Sequence, residues 1–187
     1  MAKRRLLPTQ AYLQECFIYD PDLGTLIWKH RPLSHFVSER AYKIWNTRFA
    51  GTEAGGLSAT CDGNYTRNIV TITARHCLAS RIIYKLVYDE EPDNIDHEDT
   101  NPLNNALYNL RPCAHVQNQA NKPISGKNTS GYKGVCLVAG KPTKPYVANI
   151  DVNGIRLYLG YYDTAEAAYA AYCDAAVKYH GAFARLK

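Results

Sequence analysis

Residues 145–152 alternate between polar and apolar side chains and stop at Asn153-Gly154. A period of two buries one face of a strand, and Asn-Gly is the preferred two-residue hairpin turn, so the pattern predicts a β-hairpin. The period then changes. Asp163 stands three residues before Glu166, a capping-box-like helix start. Ala167, Ala168, Ala171, Ala175, Val177 and Tyr179 follow at helical spacing, up to Gly181 as a C-terminal cap. A helix with an alanine-rich face can lie close on a three-stranded sheet, which leaves the other sheet face free.

Upstream the pattern is shorter in range. Pro8 to Phe17 predicts a helix capped by Thr9, and Phe17 to Trp28 reads as strand, turn, strand around Asp20-Pro21-Asp22. Ile69-Val70-Thr71-Ile72 predicts another strand. Lys, Pro, Ser, Gly, Asn and Thr fill Lys122 to Ser130, the clearest linker. The class expected is α+β, with a β-rich region over 1–75, a central module over 76–122, a linker at 123–130 and a C-terminal domain over 131–187.

Composition narrows the partners. A chain of 187 residues with 46% hydrophobic content can bury two small cores or one large one. Net charge is +5, unevenly placed. Residues 122–187 carry nine Lys/Arg against four Asp/Glu, and the chain opens with Lys3-Arg4-Arg5. Between them, Asp89 to Asp99 holds seven acidic residues and no Lys or Arg. Basic ends around an acidic loop suit a protein that holds a polyanion on both sides of a recruited cation. The same run also reads as an ordinary solvated loop. Six cysteines at 16, 61, 77, 113, 136 and 173 form no Cys-x-x-Cys pair, which argues against a zinc ribbon or disulfide scaffold. No signal peptide or apolar run of membrane-spanning length is present, so a reducing cytoplasm is the expected setting.

The acidic loop contains the densest chemistry. Asp96 is followed at once by His97, and amide side chains stand 13 and 22 residues beyond the carboxylate, at Asn109 and Asn118. A carboxylate and an amide carbonyl can hold a hard cation. A neighbouring neutral imidazole can take a proton from water. Together they can hydrolyse a phosphodiester with one metal ion.

Asp96-His97, Asn109-Leu110-Arg111 and the helix-like Val116-Gln117-Asn118-Gln119-Ala120-Asn121 resemble the HNH nuclease motif. The variant they resemble is that of phage and intron-encoded homing endonucleases, in which asparagine replaces the last histidine. The resemblance implies a ββα-metal module in which Asp96 and Asn118 bind one Mg²⁺ or Mn²⁺. It makes His97 the general base, and it has Asn109 hold the loop and so orient the His97 ring. The segment Trp45 to Gly51 is similar to the leader region of phage HNH proteins, where Arg40, Lys43 and Arg48 could add DNA contacts. One position departs from the family: Ser80-Arg81 stands where members often carry His-Arg, with His76 four residues earlier. Arg81 stays a phosphate-contact candidate.

A second resemblance covers the C-terminal third. Tyr132-Lys133-Gly134-Val135, Tyr146-Val147-Ala148-Asn149-Ile150, Leu159-Gly160-Tyr161-Tyr162 and the alanine-rich helix through His180-Gly181 are similar to the plant Apetala/ethylene-response-factor DNA-binding domain. In that family the sheet enters the major groove. By matched position, Lys133, Asn149, Asp151, Arg156 and Tyr158 fall on its free face. Cys136 and Val138 replace arginines usual there, so base preference does not transfer.

The two resemblances thus imply a homing-type DNA endonuclease acting on double-stranded DNA, expected in the cytoplasm, that of a host cell if phage-encoded. Single copies of each module lean toward a monomeric nicking activity, with a dimer open. The rival is a DNA-binding regulator with a decayed nuclease module. A third reading is an RNA-binding protein, which competition between duplex DNA and single-stranded RNA would separate.

Overall fold

Thr9 begins the first helix as the pattern requires: its hydroxyl accepts from the Tyr12 amide at 3.3 Å, ahead of α1 (Gln10–Cys16). The computed structural model describes residues 6–59, 66–124, 126–138, 140 and 143–186; Lys3-Arg4-Arg5 and Cys61 lie outside them. The chain forms two compact units, Met1–Pro112 and Cys113–Lys187. Their boundary falls inside the stretch 76–122 that the sequence marks as one module.

In the first unit, β1 (Phe17–Asp20) and β2 (Thr25–Trp28) pair antiparallel, from Phe17 against Trp28 to Asp20 against Thr25. The expected β-rich start also holds a second helix, α2 (Glu39–Phe49). Ser38 caps it onto the Ala41 amide at 3.2 Å, and Lys43 pairs with Glu39 at i,i+4. Next come β3 (Gly56–Ala59), β4 (Thr66–Ile72) and β5 (Arg75–Leu78), an antiparallel sheet with β4 central. α3 (Ala79–Tyr88) ends at Asp89 in the left-handed conformation. A last ribbon pairs β6 (Asn94–His97) with β7 (Leu110–Cys113).

One core serves this unit. Leu13 and Cys16 of α1, Phe17, Leu26 and Trp28 of the hairpin, Val70 and Ile72 of β4, and Ile82 and Ile83 of α3 are buried together. Leu110 joins them, which anchors the β6–β7 ribbon. Each fully buried aliphatic side chain contributes about 1.5–3 kcal/mol. Arg31 is buried as well, its guanidinium 4.7 Å from the Trp45 ring and its Nη2 2.7 Å from the Tyr12 hydroxyl.

The second unit opens with α4 (His115–Ala120), where Gln117 reaches back to accept from the Ala114 amide at 2.7 Å. The end of the expected linker is ordered by Asn128: its oxygen accepts from Ser130 and Gly131 amides, and its nitrogen donates to the Tyr132 carbonyl. β8 (Val135–Leu137), β9 (Tyr146–Val152) and β10 (Ile155–Tyr162) form an antiparallel sheet with β9 central. Asn153 and Gly154 both take positive φ, 51° and 81°, as a hairpin turn of this length demands.

α5 (Ala165–His180) packs on that sheet, as expected, but its details differ from the pattern. The cap is Thr164, whose hydroxyl accepts from the Ala167 amide at 3.1 Å, not Asp163. The buried face is Ala165, Ala168, Tyr172, Ala175 and Ala176; Val177 and Tyr179 are exposed. Ala167, which the expected spacing also includes, is exposed as well. Tyr172 fits because Gly134 has no side chain: a Cβ there would fall 2.1 Å from the Tyr172 ring, at a φ of +74°.

Candidate active site and sheet face

The β6–β7 ribbon positions the acid-imidazole pair. Alternation along β6 turns Asp96 inward, where it is 4% exposed, and leaves His97 half-buried at the end of the strand. Asp96 Oδ2 accepts from Arg111 Nε at 2.9 Å and from Arg111 Nη2 at 2.8 Å, a cross-ribbon ion pair made by one oxygen. Burial pushes the His97 imidazole below its ordinary range, opposed by its hydrogen bond to Asn105 and by the charges of Asp99 and Asp96. A neutral ring at cellular pH follows.

The loop between the strands is built from side-chain-to-backbone bonds. Asp99 accepts from the Asn101 amide at 2.8 Å, Asn101 from Leu103 at 3.1 Å, and Asn104 from Ala106 at 3.3 Å. These are Asx turns, the local alternative to regular structure that Asp and Asn offer. Asn109, 2% exposed, ties the loop shut. Its oxygen accepts from the Asp99 amide at 2.9 Å, while its nitrogen donates to Asp99 Oδ1 at 2.9 Å and to the Asn104 carbonyl at 2.8 Å.

Asn109 therefore holds the loop, but the side chain that meets the His97 ring is Asn105. Its Oδ1 lies 3.1 Å from His97 Nε2. The motif spacing does not single Asn105 out; the adjacent Asn104 turns its side chain to Asp99 instead.

The β1–β2 hairpin supports this loop from below. The Tyr19 hydroxyl donates to the Asn105 carbonyl at 2.9 Å, and the Leu107 amide donates to the Pro21 carbonyl at 3.2 Å. Burial raises the Tyr19 phenol to about 12, which keeps it a donor. Gly24, at φ +68°, lies so close that a Cβ would stand 2.3 Å from the Ala106 nitrogen.

Asp96, His97 and Asn109 are thus gathered in the first unit, whereas Asn118 lies on α4 of the second. Among the described residues no group of three or more His, Cys, Asp or Glu side chains is gathered in a form that holds a metal. The chemistry of the expected donors, one carboxylate and one amide oxygen, fits a hard divalent cation. Arg111 already occupies one oxygen of that carboxylate. Arg81 faces inward too: it pairs with Glu91, which also accepts from the Leu7 amide at 3.2 Å. Ser80 is buried on α3, and His76 is exposed on β5, its Nδ1 2.9 Å from Thr71 Oγ1.

On the second unit's sheet, Asn149 pairs with Tyr158 and Asp151 with Arg156 across β9 and β10. Ile150 and Leu157, the intervening pair, pack toward α5. Alternation therefore puts Asn149, Asp151, Arg156 and Tyr158 on the face away from the helix. Tyr158 is 58% exposed, and Arg156 grips Asp151 with two bonds of 2.9 Å. That pairing lowers the Asp151 carboxyl and raises the Arg156 guanidinium.

Lys133 does not join them. Its Nζ donates to the carbonyls of Ala120 and Lys122, at 2.5 and 2.8 Å, and closes the end of α4. Burial, with Arg185 nearby, pushes its ammonium down to about 8. The expected place of Lys133 on the free face is corrected here: its ammonium is taken up by the carbonyl of Ala120 at the end of α4 and by that of Lys122 just beyond it.

Comparison of the chain with models of known protein families, with curated proteins and with solved structures finds no match. Among the described residues, no helix is long and apolar enough to cross a membrane.

Proposed function

We propose that the protein is a metal-dependent endonuclease that hydrolyses phosphodiester bonds in duplex DNA. The observation that carries this reading is the loop geometry. Asn109 closes the loop with three hydrogen bonds, and His97 stands half-buried beside Asp96 at the end of the ribbon. His97 takes the proton of the attacking water. Asp96 would supply a carboxylate oxygen to one Mg²⁺ or Mn²⁺, which would stabilise negative charge on the phosphate; Asn118 belongs to the second unit, and its place in the donor set rests on the motif resemblance alone. On the second unit, Arg156, Asn149 and Tyr158 offer a guanidinium, an amide and an aromatic ring to a groove, with Asp151 holding Arg156 in place. This use of the sheet rests on the Apetala-like motifs as well as on the exposed face.

The test is conversion of supercoiled plasmid to open circle with Mg²⁺ or Mn²⁺, beside chelator and His97→Ala controls. Metal-dependent nicking lost in His97→Ala supports the reading. Intact binding with no cleavage in any metal overturns it.

One observation favours the second reading, a DNA-binding regulator with a decayed nuclease module. Arg111 puts a guanidinium on the carboxylate that a metal needs. In that reading chelator leaves duplex binding unchanged and Arg111 serves only to neutralise a buried acid.

A further inference from the structure

A cleft of about 750 Å³ opens in the first unit between α2 and the β3–β4–β5 sheet, and no residue of the β6–β7 ribbon lines it. Its size is that of a small-molecule site. Trp28, Trp45 and Phe49 form an aromatic wall: the Trp45 ring stands 4.9 Å from that of Trp28, edge-on, and 5.3 Å from that of Phe49. Trp28 is nearly buried, whereas Trp45 and Phe49 are half-buried and offer open ring to the cleft. The rim is polar, with the exposed Glu53 carboxylate and the hydroxyls of Ser58 and Thr71.

Cations border the cleft on both sides. The Arg48 guanidinium lies 5.0 Å from the centre of the Phe49 ring. On the sheet, Arg67 stands opposite Ser58 across β3 and β4, and alternation puts it on the same face as Ile69 and Thr71, which line the cleft. A purely apolar segment of a partner protein would leave Glu53 and both arginines unmatched. A nucleotide within a strand matches all three parts: a flat ring for the wall, a polar edge for the rim and a phosphate on each side for the arginines. Among the bases guanine suits Glu53 best, because its N1–H and 2-amino group point the same way and a carboxylate accepts from both. We propose that this cleft binds an unpaired guanine of a DNA strand, stacked on Trp45 and Phe49 and hydrogen-bonded to Glu53, with Arg48 and Arg67 on the flanking phosphates. That the strand is DNA rests on the proposed function; the recognition of the base asks nothing of the cleavage chemistry. A guanine must leave its partner to enter, so the site takes DNA that is already open or that opens as it binds.

The chain's two tryptophans, Trp28 and Trp45, both line the cleft, so tryptophan emission reports on it directly. The full chain, in chelator, is titrated with a single-stranded oligothymidine carrying one guanine, and with the same strand carrying hypoxanthine, which lacks the 2-amino group. The expected result is quenching on binding and an affinity about tenfold higher for the guanine strand. Glu53→Gln, whose amide cannot accept from both donors, erases that preference and keeps the quenching. Phe49→Ala weakens binding of both strands by about tenfold. No binding, equal affinity of the wild-type chain for the two strands, binding without a change in emission, or a preference that survives Glu53→Gln overturns the proposal. So does free guanosine monophosphate that competes as well as the strand, since it brings a phosphate for only one arginine. If Phe49→Ala fails to fold, the wild-type and Glu53→Gln titrations decide by the same criteria. Because the titration needs no cleavage, a chain that nicks no plasmid yet prefers the guanine strand separates failure of the nuclease reading from failure of this one.

Discussion

Asn109 spends both ends of its amide on the loop, so an isosteric change that reverses one end is informative. Asn109→Asp keeps the acceptor for the Asp99 amide but turns a carboxylate oxygen toward Asp99 Oδ1 and the Asn104 carbonyl. At pH 7 it should cost about 2–3 kcal/mol, read as a lower urea midpoint, because two donors are lost and buried oxygens face each other. Arg111→Met removes the partner of an acid that is 4% exposed. It should cost about 3 kcal/mol in thermal or urea unfolding, and an unchanged midpoint would show that water, not Arg111, compensates Asp96. Of this site the candidate residues could be read in the sequence, because an acid beside a histidine with spaced asparagines is a local pattern. It did not announce Arg111 on Asp96, since that contact depends on which residues of β6 and β7 face each other across the ribbon.

At the scale of elements, Lys133 joins a loop to the end of α4 and does so with a displaced titration. Its ammonium falls from an ordinary 10.5 to about 8 in the fold. Between these values the unfolded chain binds the proton that the folded chain has released, so stability rises as pH increases from about 8 toward 10. Below 8 both states are charged and the slope vanishes. Urea midpoints at pH 7.5 and 9.5 should therefore diverge in the wild-type protein and converge in Lys133→Met; parallel behaviour would assign the slope to other groups. Strands and hairpins were the most legible elements. Period-two alternation and Asn153-Gly154 are written in adjacent residues. α2 also left signals, in Ser38 as cap and Glu39 with Lys43, but its mixed, polar sequence offers no strong apolar stripe. The side-chain direction of Lys133 had no local signature at all, because its acceptors lie eleven and thirteen residues away.

For the whole molecule, the exposed sheet face and the His97 loop belong to different units, so under the proposed function binding and cleavage should separate by mutation. Arg156→Ala should weaken duplex affinity by about 1–3 kcal/mol and lower the salt dependence, whereas Lys133→Met at pH 7.5 should leave both unchanged. Equal losses from the two substitutions would contradict the assignment of the face. The α+β class and the sheet-on-helix domain could be read ahead of the structure, while the division of the chain could not. A Pro, Ser, Gly and Asn-rich stretch looks like a linker, yet Asn128 orders it and the compact units part at Pro112. The nuclease-like segment also leans on residues far upstream of it. Gly24, some eighty positions before the residues it touches, leaves room for Ala106 only by lacking a side chain. In evolutionary terms the His97 loop is no portable cassette. Recombination that moved residues 76–122 into another protein would leave behind the hairpin on which Asn105 rests, so the loop and the first twenty-eight residues are expected to be inherited together.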